Sequence, residues 1–372
     1  MNPKDLLAVL ALNNIPLVSS KTALLLLKHF GSAEKIFEAS KGDLLLALYP
    51  ILTARCKEII NNLTDKKELA FEKAAQQYEH TEKIGAHIWI YGDENYPELL
   101  QCIQDPPLLL FVKGNFEKTT KKLAIVGTRN PSYYGRKAVE MAFEGLEGTN
   151  DLVIVSGLAQ GVDALAHEKA LEKNIPTWAV FGNGLGTIYP AVNKKLAEKI
   201  LENGGWITEY PFYAAPIQGH FPRRNRIVSG ICQAIWVVES KLKGGSMITA
   251  NEAFEEGREV FATPGSIFES SLEGCNHLLQ SQKAHCFLNM QSLFSTMNWD
   301  KKNKITPVKT SIPPHLLLEK PLLQLLHQKG KMHFDQILNQ LQWSAAELSQ
   351  EIFLLEMESY IQVLPGDFYI CS

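Results

Sequence analysis

Cysteine is sparse in this chain of 372 residues: there are six, none in a Cys-x-x-Cys pair. A disulfide framework is therefore not expected, and a reduced, cytoplasmic thiol set is. Cys275, His277, His285 and Cys286 cluster in sequence, but their spacing matches no common structural zinc pattern, so neither a metal nor another cofactor is expected. Excess charge of one sign is also lacking, since 37 Lys and Arg against 40 Asp and Glu leave a net charge of −3. That excludes a histone-like binder and confines any polyanion site to a local patch. Long apolar runs are missing as well. The leucine clusters Leu24 to Leu27 and Leu44 to Leu46 are short and have charges close by, so no membrane contact is expected. Finally, no Gly-x-x-x-x-Gly-Lys-Ser/Thr segment is present, which argues against a phosphate-loop hydrolase.

What is present suffices for a sizeable core. Apolar residues make up 45% and charged residues 21%, and the length predicts two or three domains. The organising stretch runs from Lys122 to Gly161. Leu123-Ala124-Ile125-Val126 reads as a buried parallel strand ending in Gly127-Thr128-Arg129, and Leu152-Val153-Ile154-Val155 repeats the design before Ser156 to Asp163. Further strands are expected at Thr177 to Phe181, Trp206 to Thr208, Ala234 to Val238 and Glu259 to Ala262, with helices between most of them. This alternation predicts an α/β fold, an extended Rossmann-like doubly wound parallel sheet. Ala86 to Ile90 and Leu108 to Val112 read as strands added to its edge.

Residues 1–80 show helical periodicity and are expected to form a separate helical domain, ahead of a central domain over 81–294. Ile15 to Ala23, followed by Leu27 to Ser32, resembles a helix-hairpin-helix, but Val18 and Ser19 stand where that motif uses glycines. A packing or partner role is favoured there over DNA contact. Residues 295–314 read as a polar linker. Residues 315–372 then give three short amphipathic helices, a Pro365-Gly366-Asp367 turn and a hairpin, which resembles a winged helix. Its third helix carries Glu347, Glu351 and Glu356 and no Lys or Arg, so a protein-interaction role is expected over DNA reading.

Five polar segments fall at the ends of the central strands: Gly127 to Arg129, Ser156 to Asp163, Gly182 to Gly186, His220 to Arg226, and Lys243 to Thr249. All five are read as loops. Four contain glycines that let backbone amides face a phosphate, and Thr249 is expected to open a helix whose positive end adds attraction. Arg223, Arg224 and Arg226 lie beside Phe221 and, with Arg129 and Lys195, form a candidate groove for several phosphates. For Arg226 the alternative stays open that it pairs a buried acid such as Glu209 or Glu239. Asp163 is read as a helix brace and His167 as structural.

Taken together and in order, Ala124 to Gly135, Val155 to Leu171, Val180 to Pro190, Glu209-Tyr210-Pro211, Phe221 to Gly230, Val237 to Ala250 and Gly257 to Gly265 resemble the DNA-processing family called DprA or Smf. The resemblance implies a non-enzymatic protein that binds and protects incoming single-stranded DNA in natural transformation and loads RecA recombinase onto it. It implies strand contacts by Arg129; by Lys195, with Lys194 as neighbour; by Arg224, Asn225 and Arg226; and by Gly245 and Ser246, to which the reading of the strand-end segments adds Gly127, Thr128, Gly157, Gly161, Arg223 and Thr249 as phosphate-binding candidates. It also implies a homodimer, for which Phe268 to Leu279 is the expected surface. Two positions depart from the family pattern: Gly244 replaces a serine, and Thr208 stands where serine often precedes Glu209. Tyr133, Tyr134 and Phe221 are candidates for stacking bases. The competing readings are a nucleotide-cleaving enzyme and a nucleotide sensor on the same sheet. Against the first, Lys243 to Thr249 lacks the proline of that enzyme class, and the acid Glu252 follows Thr249 by nearly a helical turn.

Overall fold

A computed structural model describes residues 3–51, 55–116, 121–144, 146, 151–299, 320–358, 360–364 and 368–371. The expected linker beyond residue 299 and the turn at 365–367 lie outside them. The chain falls into two compact units, Met1–Met297 and Asn298–Ser372.

The first unit begins with helices α1 (Pro3–Asn14), α2 (Ser20–Phe30), α3 (Ala33–Glu38), α4 (Lys41–Leu48), α5 (Cys56–Asp65) and α6 (Lys67–Lys83). Their boundaries have local causes. Ser19 caps α2 by accepting from the Thr22 amide, and Gly31 ends it at φ 81, in the left-handed region that glycine enters without steric cost. Then follow β1 (His87–Ile90), α7 (Glu98–Gln101), β2 (Leu109–Gly114), β3 (Lys121–Val126), α8 (Tyr133–Glu144), β4 (Leu152–Ser156), α9 (Val162–Glu172), β5 (Thr177–Val180), α10 (Lys194–Ile200) and β6 (Gly204–Thr208). The unit closes with α11 (His220–Ile231), β7 (Ala234–Val237), α12 (Gly245–Glu255), β8 (Glu259–Ala262), α13 (Glu273–Gln280), β9 (His285–Cys286) and α14 (Met290–Thr296).

Among the described residues the strands form one nine-stranded sheet in the order β1-β2-β6-β5-β4-β3-β7-β8-β9. From β6 to β9 every neighbouring pair is parallel, whereas β1 and β2 join the β6 edge antiparallel. Every residue of β4 is buried, as expected when helices cover both faces of a sheet and leave no solvent side to alternate with. One face packs Ala124, Val155, Ile235 and Val237 against Ile227 and Val228 of α11 and Ala250 of α12. On the other face Phe181, Trp206 and Ile200 belong to the same core as Leu10, Leu26 and Leu48 of the amino-terminal helices. The chain leaves β3 toward β4 on one side and reaches β7 on the other. The topological switch point therefore lies between β3 and β7, where open α/β sheets form a ligand crevice.

The four candidate zinc residues do not converge. Cys275 is buried with its thiol directed at the Val237 carbonyl, burial pushing that thiol up to about 12, while His285 pairs with Glu259 at 2.9 Å. Among the described residues no group of three or more His, Cys, Asp or Glu side chains could hold a metal, and no helix is long and apolar enough to cross a membrane.

The second unit contains α15 (Pro321–Lys329), β10 (Met332–His333), α16 (Phe334–Leu341), α17 (Ala345–Met357), β11 (Ile361–Leu364) and β12 (Phe368–Cys371). The sheet order is β10-β12-β11, and Leu322, Leu326, Ile337, Leu348, Leu355 and Tyr369 close the core of this winged helix. Ser344 and Glu347 form a capping box that starts α17.

Trp236 on β7 is the largest fully buried side chain. Its ring stacks on Phe287 at 3.9 Å and its Nε1 donates to Thr263 Oγ1 at 2.9 Å. Trp236→Ala is expected to cost about 3–5 kcal/mol, read as a lower urea midpoint at unchanged slope. A loss below about 1 kcal/mol would mean that this layer does not pack as described.

Candidate nucleic-acid interface

The site is built where the turns after β3, β4 and β5 meet the start of α11. Thr128 donates its amide to the Glu239 carbonyl at 2.8 Å, and its own carbonyl accepts from the Val162 amide at 3.1 Å. These two bonds hold the Gly127-Thr128-Arg129 turn against the turn that starts α9. Gly161 sits between them at φ 84, and a Cβ there would lie 2.4 Å from the Thr128 carbonyl oxygen, so only glycine fits. Arg129 emerges from this turn exposed to solvent.

The β4 turn has an internal ligand. Asp163 Oδ2 accepts from the amides of Gly157 at 3.2 Å and Ala159 at 3.3 Å. Gly157 also accepts at its carbonyl from Arg224 Nη1 at 2.6 Å, and the same Nη1 donates to the Val180 carbonyl. A Cβ at residue 157 would sit 2.3 Å from the Arg224 guanidinium, so this glycine makes room for the arginine rather than for a ligand. Burial pushes the Asp163 carboxyl up, with Arg224 and the two amides opposing the shift. Burial also lowers the Arg224 guanidinium, and Asp163 opposes that.

Above this floor opens a cleft of about 110 Å³ lined by Arg129, Gly157, Ala159, Gln160, Tyr189, Pro190, Phe221 and Arg224. Tyr189 and Phe221 make an aromatic wall, with ring centroids 5.3 Å apart. Gly182 accommodates Phe221, since a Cβ there would meet the ring at 2.8 Å. Asn193 Nδ2 donates to the Leu158 carbonyl at 2.9 Å and ties the segment after Tyr189-Pro190 to the β4 turn.

The expected site residues are thus partly brought together and partly not. Arg129, Gly157 and Arg224 share the cleft, and Gly127, Thr128 and Gly161 build its edge. Lys194 and Lys195 are exposed on α10, but Lys195 lines a separate groove with Glu168, Glu172, Lys199 and Glu202. The segment from His220 to Arg226, expected as a loop, is the first half of α11. Arg223 stays exposed, 3.7 Å from Glu209, and Asn225 accepts from Arg224 Nε. Arg224 and Arg226, expected to face phosphates, are both buried. Arg226 Nη2 pairs with Glu209 Oε2, and its Nε lies 3.5 Å from Asp105. That pairing is the alternative the sequence left open. α12 begins at Gly245, so Thr249 lies a turn inside it and is buried instead of opening it. Ser246 donates to Ser240 Oγ at 2.8 Å, while the space around Gly245 is open. Of the aromatics expected to stack bases, Phe221 is in the cleft; Tyr134 lines another groove, with Met141 and Leu288. Sequence reasoning did not single out Tyr189 or Gln160, although an aromatic next to Pro190 and close to Lys194 was a usable signal.

A family model described as DNA recombination-mediator protein A matches residues 87–298, and one described as DprA winged helix domain matches residues 307–367. The chain belongs to the DprA/Smf family. It is 47% identical over 189 residues to DNA processing protein DprA of Streptococcus pneumoniae, covering 50% of this chain and 66% of that one. Against Protein Smf of Escherichia coli the identity is 42% over 201 residues, covering 54% of each. The matched stretch thus spans between about half and two thirds of these relatives' own length. Among solved structures, DNA processing protein A from Streptococcus pneumoniae aligns with a TM-score of 0.55 at 34% identity, covering 74% of this chain and 97% of that one. DNA processing protein A from Helicobacter pylori, described for its single-stranded DNA binding mode, aligns at 0.52 and 34%, covering 58% and 96%. Both alignments are to DprA proteins, in agreement with the family match.

Behind the Arg226 pair, burial pushes the Glu252 carboxyl up to about 7, reinforced by Glu256 and opposed by Arg226. Because its folded value is raised, the folded state holds this proton more tightly than the unfolded state does. Stability therefore falls as pH rises from about 4.5 to about 7. Glu252→Gln is expected to raise the melting temperature at pH 8, with the gain shrinking toward pH 5. A gain independent of pH would contradict the shift.

Proposed function

We propose that this DprA/Smf chain is a DNA-processing protein that binds single-stranded DNA along the cleft at Arg129 and loads RecA recombinase onto the strand during natural transformation. The observation that carries the reading is one exposed arginine facing an aromatic wall, Tyr189 and Phe221, across a rigid floor. An arginine fork suits a phosphate, and aromatic faces stack on any base, which is the combination a strand bound without sequence preference requires. The relative from Helicobacter pylori, with single-stranded DNA in its description, lends support.

In this reading Arg129 contacts phosphate directly, and Lys194, Lys195 and Arg223 extend the basic track on exposed surface. Gly245 and Ser246 offer a second anchoring point at the start of α12. Arg224, Asn225, Arg226 and Thr249 serve by holding the floor and its supports. A homodimer forms through the surface from Phe268 to Leu279, where Phe268 is 90% exposed. The acidic α17 contacts protein, not DNA. The domain limits proposed are 1–80, 81–294 and 315–372, and the chain acts in the cytoplasm. The enzyme reading has less support, because Glu252, its candidate acid, sits behind the Arg226 pair and outside the cleft.

Fluorescence anisotropy with oligo-dT across a salt series tests this. Arg129→Ala is expected to weaken binding and to flatten the slope of log K against log salt by about 0.7, one single-strand phosphate contact. Phe221→Ala is expected to cost about 1–3 kcal/mol with the slope unchanged. Equal slopes for the wild type and Arg129→Ala, or a wild type that prefers duplex, would overturn the reading.

A further inference from the structure

A line of rings leads away from the cleft toward the amino-terminal helices. His220, the residue before Phe221, stacks on Tyr210 with centroids 4.0 Å apart, and its Nδ1 lies 3.2 Å from the Gly182 carbonyl. Further along, the Gly186 amide donates to the Phe212 carbonyl at 3.0 Å and the Gly184 amide to the Ala214 carbonyl at 2.9 Å. A Cβ at residue 184 would stand 2.0 Å from the Pro211 carbonyl oxygen, so the two backbones meet with no room for a side chain between them. The segment 211–214 is thereby fastened to the turn that leads to Tyr189 in the cleft wall.

At the end of this line stands Tyr213, which is 73% exposed. A tyrosine so open is ordinarily free to swing, but this one is held. Its hydroxyl lies 2.8 Å from His80 Nε2, and His80 Nδ1 lies 2.6 Å from the Gln76 carbonyl. A carbonyl only accepts, so Nδ1 carries the proton of the neutral ring and Nε2 accepts from the tyrosine. His80 itself belongs to α6 and is stacked on Phe212 at 5.3 Å. Tyr213 meets both neighbours nearly at right angles, 74° to His80 and 85° to Phe212, so neither lies flat over its ring. The ring is fixed in place, and none of the described residues stacks on it.

We propose that Tyr213, positioned by His80, is a second base-stacking site for single-stranded DNA, through which α6 brings the amino-terminal helices into strand binding. An exposed, pre-positioned aromatic face takes any base and loses little freedom on binding. The site is continuous with the cleft. Tyr189 is three residues beyond Gly186 and Tyr213 one beyond Phe212, so at no more than about 3.6 Å per residue their Cα atoms lie within roughly 20 Å. Stacked nucleotides rise about 3.4 Å each, so about six or fewer connect the two positions. Arg223, exposed two residues beyond Phe221, adds a cation for the intervening phosphates. The proposal rests on the strand-binding reading and extends it beyond the cleft.

The test uses fluorescein-labelled dT15 and the full chain. Tyr213→Ala is expected to weaken binding at least about fivefold with the salt slope unchanged, as for loss of a stacked base and not of a phosphate contact. Tyr213→Phe keeps the ring and is expected to retain most of the affinity. His80→Ala is expected to weaken binding in the wild type and to add nothing in the Tyr213→Ala background, because it acts through that ring. Photo-crosslinking of the wild type to dT15 carrying 5-iododeoxyuridine is expected to mark Tyr213 as well as Tyr189 or Phe221, and it decides even where a variant does not fold. Folded Tyr213→Ala that binds dT15 as the wild type does, or crosslinks at the cleft rings without Tyr213, overturns the proposal and leaves the cleft reading intact; the patch would then serve a protein partner. Failure of dT15 to bind at all overturns the strand reading and this proposal together.

Discussion

The candidate interface depends on the residue Gly157 and the two charges that hold it. Its amide donates to Asp163 and its carbonyl accepts from Arg224, and no side chain fits between it and the guanidinium. A buried arginine is costly to desolvate, and that cost is offset here by carbonyl oxygens from two neighbouring strand ends and by the field of Asp163. The arrangement fixes α11 against the ends of β4 and β5, which in turn places Phe221 opposite Tyr189. Remove the guanidinium and two carbonyls lose their donor while Asp163 loses its nearest opposite charge. The cleft is thus shaped by interactions that never face solvent.

Arg226 plays the corresponding part further along α11. Its contacts to Glu209 and Asp105 join α11 to the segments after β6 and before β2. Arginines two apart on one helix therefore point into different polar clusters inside the protein, and Arg223, exposed beside them, is the member of the trio left at the surface. A run that looks like a basic patch in the sequence is mostly an internal scaffold.

Much of the fold was legible. Val153, Ile154 and Val155, like Ile235, Trp236 and Val237, form short continuous apolar runs that only a sheet covered on both faces can bury, and all of these strands are present where they were expected. The two-residue strand β9 carries too little pattern to be read. The first half of α11, His220 to Arg226, reads as a loop in the sequence because Pro222 and the arginines interrupt any apolar period, yet proline is tolerated in a first helical turn and Arg224 and Arg226 find buried partners. For the site, the glycine turns announced a ligand position but not its occupant. The Gly157 and Arg224 partners are 67 positions apart, so local sequence says nothing of their bond. The same holds for Glu239 and Ser132, 107 positions apart. An arginine's chemistry suits a phosphate and a buried carbonyl equally well, and only tertiary placement decides between them.

The most direct measurement is a crystal structure of this chain with a short oligo-dT. The account predicts a phosphate oxygen within hydrogen-bond distance of the Arg129 guanidinium, a base against Tyr189 or Phe221, and Arg224 still bonded to the Gly157 and Val180 carbonyls. A strand seated on another surface, or Arg224 swung out of the floor to take the phosphate, would contradict it.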